Sequence, residues 1–275
     1  MNSTVAPPKV KERSVYFPGK SSDDSIRAIL EGRKTQDRRI VKPKCGCPDF
    51  FCIKPDDRNP YYFRRADAVW DSFKSIEDLA AKYCPHGSVG DRLWVRETWR
   101  PKSWGADFDW MFVEFKDGST KQIDPIEAWG DSILGAERVW ENLSNECVQS
   151  GSQLEDGYFK DVVLKWKPSI HMPRAASRIT LEITGVKVER LQDISEEDAI
   201  AEGIQSFEPG EGSKFWRNYQ GDEKDLIDGW FFREEAILSF RSLWDSINGE
   251  KPGCDWASNP FTWTIEFRRI EQEAA

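Results

Sequence analysis

The segment SRITLEITGVKVERL, residues 177–191, constrains this chain most, because its apolar positions alternate and then change parity. Ile179, Leu181 and Ile183 share one face of an extended strand, whereas Val186 and Val188 fall on the other count, with Gly185 at the switch. A strand that buries both sets must bulge or bend at the glycine, and bent strands belong to small, coiled sheets. A second alternating strand runs through Phe261, Trp263, Ile265 and Phe267. VGDRLWVRETW reads as a tight turn at Gly90 feeding a strand, and MFVEFKDGSTKQI reads as a hairpin whose Asp117-Gly118 pair suits a primed two-residue turn.

Helices punctuate these strands. Ser21 with Asp24 makes a capping box, Ile26, Ile29 and Leu30 share a face, and Gly32 is a left-handed stop, predicting a helix over 22–31. Another is expected near 75–83; Ser195 with Asp198 caps a short one ending at Gly203; and Ala236, Phe240, Leu243, Trp244 and Ile247 form a stripe stopped by Asn248-Gly249. The order shows neither a βαβ rhythm nor a glycine-rich phosphate loop, so a doubly wound sheet is disfavoured. The expected class is α+β: a mostly antiparallel β-barrel, open or closed, with a few covering helices. The expected organisation is a loose arm over 1–12, a single domain over 13–270 with insertions at about 44–86 and 101–163, and a tail over 271–275.

Composition narrows the function classes. With 39 Lys and Arg against 48 Asp and Glu, the net charge of −9 excludes a protein living on nonspecific phosphate attraction, though not a local basic patch. The 13 Trp serve mostly as core anchors, with a few available as an aromatic wall for a base. No apolar run approaches the ~20 residues of a membrane helix, and MNSTVAPPKVKERS lacks a signal-peptide centre, so a cytoplasmic location without membrane contact is expected. In that compartment six Cys are not disulfide staples. Cys45, Cys47, Cys52, Cys84 and His86 offer five candidate ligands where tetrahedral zinc takes four, leaving structural zinc and free thiols as the two readings.

The stretch EGRKTQDRRIVKPK, residues 31–44, concentrates six cations and one internal acid, Asp37, at a helix C-terminus. Within it Gly32, Lys34, Asp37 and Arg39 resemble the G-x-K-x-x-E-x-R signature of the ASCH superfamily. The segments VGDRLWVRETW, KWKPSIHMPRAASRITLEITGVKVERLQDISEEDAIAEGI, FRSLWDSINGEKPG and WTIEFRRI are similar to ASCH-type proteins of bacteriophages and prophages. The resemblance covers most of the chain outside 44–86 and 101–163 and implies a PUA-like β-barrel in a bacterial host cytoplasm. That family includes RNA binders, a ribonuclease and an amidohydrolase acting on acetylated cytidine. Matched by motif, the Lys of the small amidohydrolases falls on Lys34 and their Glu on Glu202, while their Thr is replaced by Asp37, with Thr35 nearby.

A Lys beside two carboxylates suits hydrolysis or base binding; an ordinary surface ion-pair cluster is the alternative. Lys34 and Asp37 differ in strand parity, so they converge only if a turn follows Gly32. Arg38 and Arg39 either fork onto phosphate oxygens or pair with Glu97 or other acids. Trp94, Glu97, Thr98 and Trp99 lie on or just after a strand: a Trp there stacks a base or fills the core, and Glu97 accepts from an exocyclic amine. PSIHMPR places His171 and Arg174 on a loop stiffened by Pro168 and Pro173, a plausible pocket rim. Three functions follow as expectations: binding of RNA or a modified nucleotide, hydrolysis of a modified nucleoside or of RNA with Lys34 as base, and a host-directed protein partnership. The first two stand on one placement, the Lys34 amine facing inward beside Glu202.

Overall fold

The structure, a computed structural model, describes residues 10–18, 22–41, 61–64, 70–73, 75–105, 107–130, 135–149, 158–159, 164–210, 213–220, 232–233 and 235–270. In chain order the elements are β1 (Glu12–Val15), α1 (Ser22–Leu30), β2 (Gln36–Ile40), β3 (Tyr61–Arg64), β4 (Trp70–Phe73), α2 (Ile76–Tyr83), β5 (Arg92–Val95), β6 (Trp99–Gly105), β7 (Met111–Phe115) and β8 (Thr120–Ile123). They continue with α3 (Pro125–Trp129), α4 (Ala136–Gln149), β9 (Tyr158–Phe159), β10 (Thr180–Arg190), α5 (Glu196–Ala201), β11 (Ser206–Gly210), β12 (Ser213–Arg217), β13 (Phe232–Arg233), α6 (Ala236–Asn248) and β14 (Phe261–Ile270). The fold is α+β, and among the described residues no helix is long and apolar enough to cross a membrane.

A five-stranded sheet has the order β1-β5-β10-β14-β2. β2 and β14 pair antiparallel from Ile40 opposite Thr262 to Gln36 opposite Glu266. β1 runs parallel to β5, with the Arg92 amide on Lys11 O and the Arg96 amide on Val15 O, both at 2.8 Å. Gly185 stays within the continuous strand β10, and a Cβ there would lie 2.5 Å from Glu266 Oε2, so the parity switch marks a close approach to a neighbouring side chain.

The chain divides into two compact units, Met1–Arg13, Pro18–Arg92 and Leu181–Arg269 forming unit 1, and Ser14–Phe17, Leu93–Thr180 and Ile270–Ala275 forming unit 2. In unit 1, α1 carries Asp23 and Asp24 in its first turn and Arg27 in its last, as the helix dipole favours, and buries Ile26, Ala28 and Ile29. The antiparallel ribbon β11-β12-β13, α5 and α6 enclose a core that includes Leu191, Ile194, Ile204, Trp216, Phe240 and Trp244. The stripe read from the sequence of α6 is therefore the face that buries Ala236, Phe240 and Trp244. The Ser195 hydroxyl accepts from the Asp198 amide at 3.1 Å, capping α5 as expected.

Unit 2 holds the antiparallel sheet β8-β7-β6-β9 and the helices α3 and α4. Alternation in β7 buries Met111, Val113 and Phe115 against Trp99, Trp104, Leu143 and Met172. The β7–β8 turn corrects the expectation of a primed two-residue loop. Asp117 is not among the non-glycine residues with positive φ; instead the Gly118 amide bonds Phe115 O and Gly118 takes φ +82°. This is a three-residue loop whose single left-handed position goes to the glycine, which spares Asp117 a conformation a Cβ resists.

Candidate functional site

The turn after α1 makes the site. Gly32, at φ +75°, lets its own amide bond Ile29 O (3.1 Å) while the Arg33 amide reaches back to Ala28 O (2.8 Å). This closes the helix and swings Lys34 inward. Lys34 then forms an isolated antiparallel bridge with Glu202, with the Thr35 amide on Ala201 O at 2.9 Å. Gly203 permits the approach: at φ +83°, a Cβ on it would lie 2.6 Å from Lys34 Cβ and 2.9 Å from Ala28 Cβ.

From this bridge runs a chain of alternating charges. Lys34 Nζ donates to Glu202 Oε2 and to the Glu202 carbonyl, both at 3.1 Å, and lies 3.2 Å from Asp37 Oδ1. Beyond Glu202, Arg38 Nη1 donates to its Oε1 (2.9 Å), and Arg38 Nη2 donates to Glu189 Oε1 (2.5 Å) and Asp198 Oδ2 (3.1 Å). Beyond Asp37, Arg39 Nε donates to its Oδ2 at 2.7 Å. The turn at Glu31–Gly32 stands before both residues and none separates Lys34 from Asp37, so the long Lys34 side chain closes the 3.2 Å contact across the parity difference. The side chains of Lys34 and Glu202 are each 4% exposed, whereas those of Asp37 and Arg39 are 15% and 19% exposed and Thr35 is an exposed residue. The cluster meets solvent at that rim.

Burial and neighbouring charge compete at each group, and at Glu202 burial wins, pushing its carboxyl up against the pull of Lys34 and Arg38. Burial opposes the Lys34 ammonium, but the Glu202 and Asp37 carboxylates outweigh it and hold the amine above its ordinary value. Burial likewise pushes the Asp37 carboxyl up, and Arg39 and Lys34 overcome it and hold it low. Lys34 is therefore a charged donor, and a role as general base runs against its surroundings. Arg38, its side chain wholly buried, directs Nη1 and Nη2 at three carboxylates while its Nε has no hydrogen-bond partner among the described residues; it pairs with acids other than Glu97 and braces Glu202 instead of presenting a fork to phosphate. Neither Glu189 nor Asp198 is a site candidate from the sequence, where Asp198 reads only as part of a helix cap. Asp198 carried a signal, since it stands one helical turn before Glu202.

The remaining candidates for ligand binding belong to unit 2. Trp99 is buried in its core, and Trp94 is half-buried with the guanidiniums of Arg96 and Arg174 at 6.0 and 5.9 Å from its ring centroid. Glu97 is buried, and both its oxygens accept from Arg178, the shortest bond being Nη2 to Oε2 at 2.6 Å. Arg178 also reaches Asp117 Oδ2 at 2.8 Å, so Glu97 anchors an arginine that sequence reasoning missed. Thr98 is half-buried beside it in sequence. His171 is exposed at the end of a single 3-10 turn, Ser169–His171, and Arg174 opens the next, Arg174–Ala176.

Cys45, Cys47 and Cys52 lie outside the described residues. Cys84 ends α2, and burial pushes its thiol up against the pull of bonds from the His86 and Gly87 amides. Burial lowers His86 to about 4, with Arg39 and Arg13 acting in the same sense and Asp37 opposing them, so its imidazole is neutral at pH 7. Among the described residues no group of three or more His, Cys, Asp or Glu is placed to hold a metal ion.

No protein-family model, no curated protein and no solved structure matches this chain.

Proposed function

We propose that unit 1 is a PUA-like barrel of the ASCH type that binds RNA or a modified nucleotide at the rim of the Lys34 cluster. The observation that carries this reading is a buried ammonium held 3.1 Å from Glu202 and 3.2 Å from Asp37. Such pairs cost several kcal/mol per ion in desolvation, and an apolar packing of the same volume is often as stable, so a cluster of this kind that reaches solvent through Asp37 and Arg39 favours function over structure. The rim groups fit a nucleobase edge: Asp37 accepts, Arg39 donates, and Thr35 lies exposed next to them, while the ammonium of Lys34 holds Asp37 in place from below. Support also comes from the signature, since Lys34, Asp37 and Arg39 all fall within the charge chain.

The charged state of Lys34 favours binding over hydrolysis with that amine as base. Titration calorimetry with acetylated cytidine, cytidine and a short RNA, alongside product analysis, tests this. Binding is expected without turnover and weakened at least tenfold in Lys34→Met. Turnover abolished by that substitution makes the protein a hydrolase of a modified nucleoside or of RNA. A protein partner captured equally by wild type and by a variant lacking Lys34 and Glu202, with no nucleoside affinity, makes it a host-directed interaction factor.

We also propose a structural zinc held by four of Cys45, Cys47, Cys52, Cys84 and His86. In its support, His86 is in the neutral form that ligates, and the amides near Cys84 already point at its sulfur. A closed four-ligand site pins a loop and leaves no position for chemistry.

A further inference from the structure

In unit 2, aromatic rings and guanidinium groups alternate along a ladder of Tyr16, Arg96, Trp94 and Arg174. Arg96 Cζ lies 5.6 Å from the Tyr16 centroid and 6.0 Å from that of Trp94, and Arg174 Cζ lies 5.9 Å from Trp94 on the same ladder. Tyr16 is 41% exposed and the other three are half-buried. Trp94 and Arg174 are candidates from the sequence; Tyr16 and Arg96 join them through the structure.

Arg96 is the anomaly. Three other half-buried arginines meet carboxylates: Arg13 bonds Asp91 at 2.6 Å, Arg100 bonds Glu114 at 2.6 Å and Arg178 bonds Glu97 at 2.6 Å. Among the described residues no carboxylate pairs with Arg96; its Nη1 reaches only Ile170 O at 3.4 Å, and its Nε is buried without a hydrogen-bond partner. A guanidinium carries five donors, and withdrawing it from water without an anion is costly. A half-buried cation short of an anion among the described residues, lying over two rings at 5.6 and 6.0 Å and followed by a second guanidinium, is built to receive an anion that a ligand brings.

We propose that this ladder binds single-stranded nucleic acid, with phosphates on Arg96 and Arg174 and bases stacked on the Tyr16 ring and the guanidinium planes. The alternation favours this occupant: a single strand repeats one anion and one π-face per nucleotide, whereas an acidic peptide supplies the charge without the ring. The surface gives local positive charge to a chain whose net charge is −9, so binding depends on a few placed contacts and not on a general field.

Fluorescence anisotropy of a short labelled oligouridylate, titrated with the full chain over a range of KCl, tests the ladder. Arg96→Gln is expected to weaken binding by about tenfold and to lower the slope of log K against log salt by about 0.7, the loss of one phosphate contact on a single strand. Arg96→Lys keeps the slope but loses affinity, because the planar stack is gone. Arg241→Gln, which removes an exposed charge from α6, leaves both unchanged. Arg174→Gln carries the same expectation as Arg96→Gln should the latter fail to fold. The proposal is overturned if the wild type does not bind, if folded Arg96→Gln and Arg174→Gln both bind like wild type, or if polyglutamate displaces the strand as well as unlabelled RNA does. Nucleoside calorimetry on the same variants separates the two readings: loss of oligomer binding with nucleoside binding intact leaves both standing. Intact oligomer binding with Lys34-dependent nucleoside binding removes the ladder alone.

Discussion

Replacing Lys34 by Met tests whether the buried charges act as one unit. The substitution leaves Glu202 with Arg38 at 2.9 Å and Asp37 with Arg39 at 2.7 Å, so each carboxylate loses one of two cations. Breaking a buried pair costs about 3–5 kcal/mol, and the surviving partners place this case at about 3. Glu202→Gln leaves Lys34 with Asp37 at 3.2 Å and the Glu202 carbonyl at 3.1 Å, for a cost of about 2 kcal/mol. If the pair is the unit, the double variant costs about 3 kcal/mol and not 5, a coupling of about 2 kcal/mol. Urea denaturation at pH 7 followed by tryptophan fluorescence measures the cycle, and Lys34→Met alone should lower Tm by roughly 6–10 °C. Additive single effects, with coupling under about 0.5 kcal/mol, would falsify the claim that Lys34 and Glu202 depend on one another.

Three further expectations follow from the same geometry. Gly203→Ala should cost about 2 kcal/mol or more, from left-handed backbone and a Cβ 2.6 Å from that of Lys34; an unchanged thermal midpoint refutes the close approach. In metal-free protein His86, lowered from 6.5 to about 4, binds a proton in the unfolded chain before the folded one. Its contribution is therefore complete above pH 6.5 and lost as pH falls toward about 4, roughly 3 kcal/mol in all, and His86→Gln should flatten that limb of the stability profile. One zinc per chain is expected by metal analysis and should vanish in a Cys45→Ser, Cys84→Ser variant; stoichiometric metal in that variant rules out the ligand set.

What the sequence disclosed was local. Gly32 announced the helix stop that turns Lys34, and Ser195 with Asp198 announced α5, because capping and left-handed glycines are settled within a few residues. The meeting of Lys34 with Glu202 spans 168 residues and came only through resemblance, since no periodicity encodes which turn faces which. The sequence leaves Arg38 open between a phosphate fork and an ion pair, because its burial depends on the pairing of β2 with β14 and on acids from β10 and α5. Arg96 was illegible for the converse reason: an arginine is unremarkable in sequence, and only the structure reveals that no carboxylate among the described residues pairs with it. Asp117-Gly118 misled because the dipeptide suits two turn types and the loop length that chooses between them is set by strand register.

The bridge between Lys34 and Glu202 joins main chain and side chains at the same two residues, so neither layer can open alone. The Thr35 amide, on Ala201 O, is then a gauge of occupancy: any molecule that tightens the charge chain at Asp37 must slow the deuterium uptake of that one proton, without itself touching it.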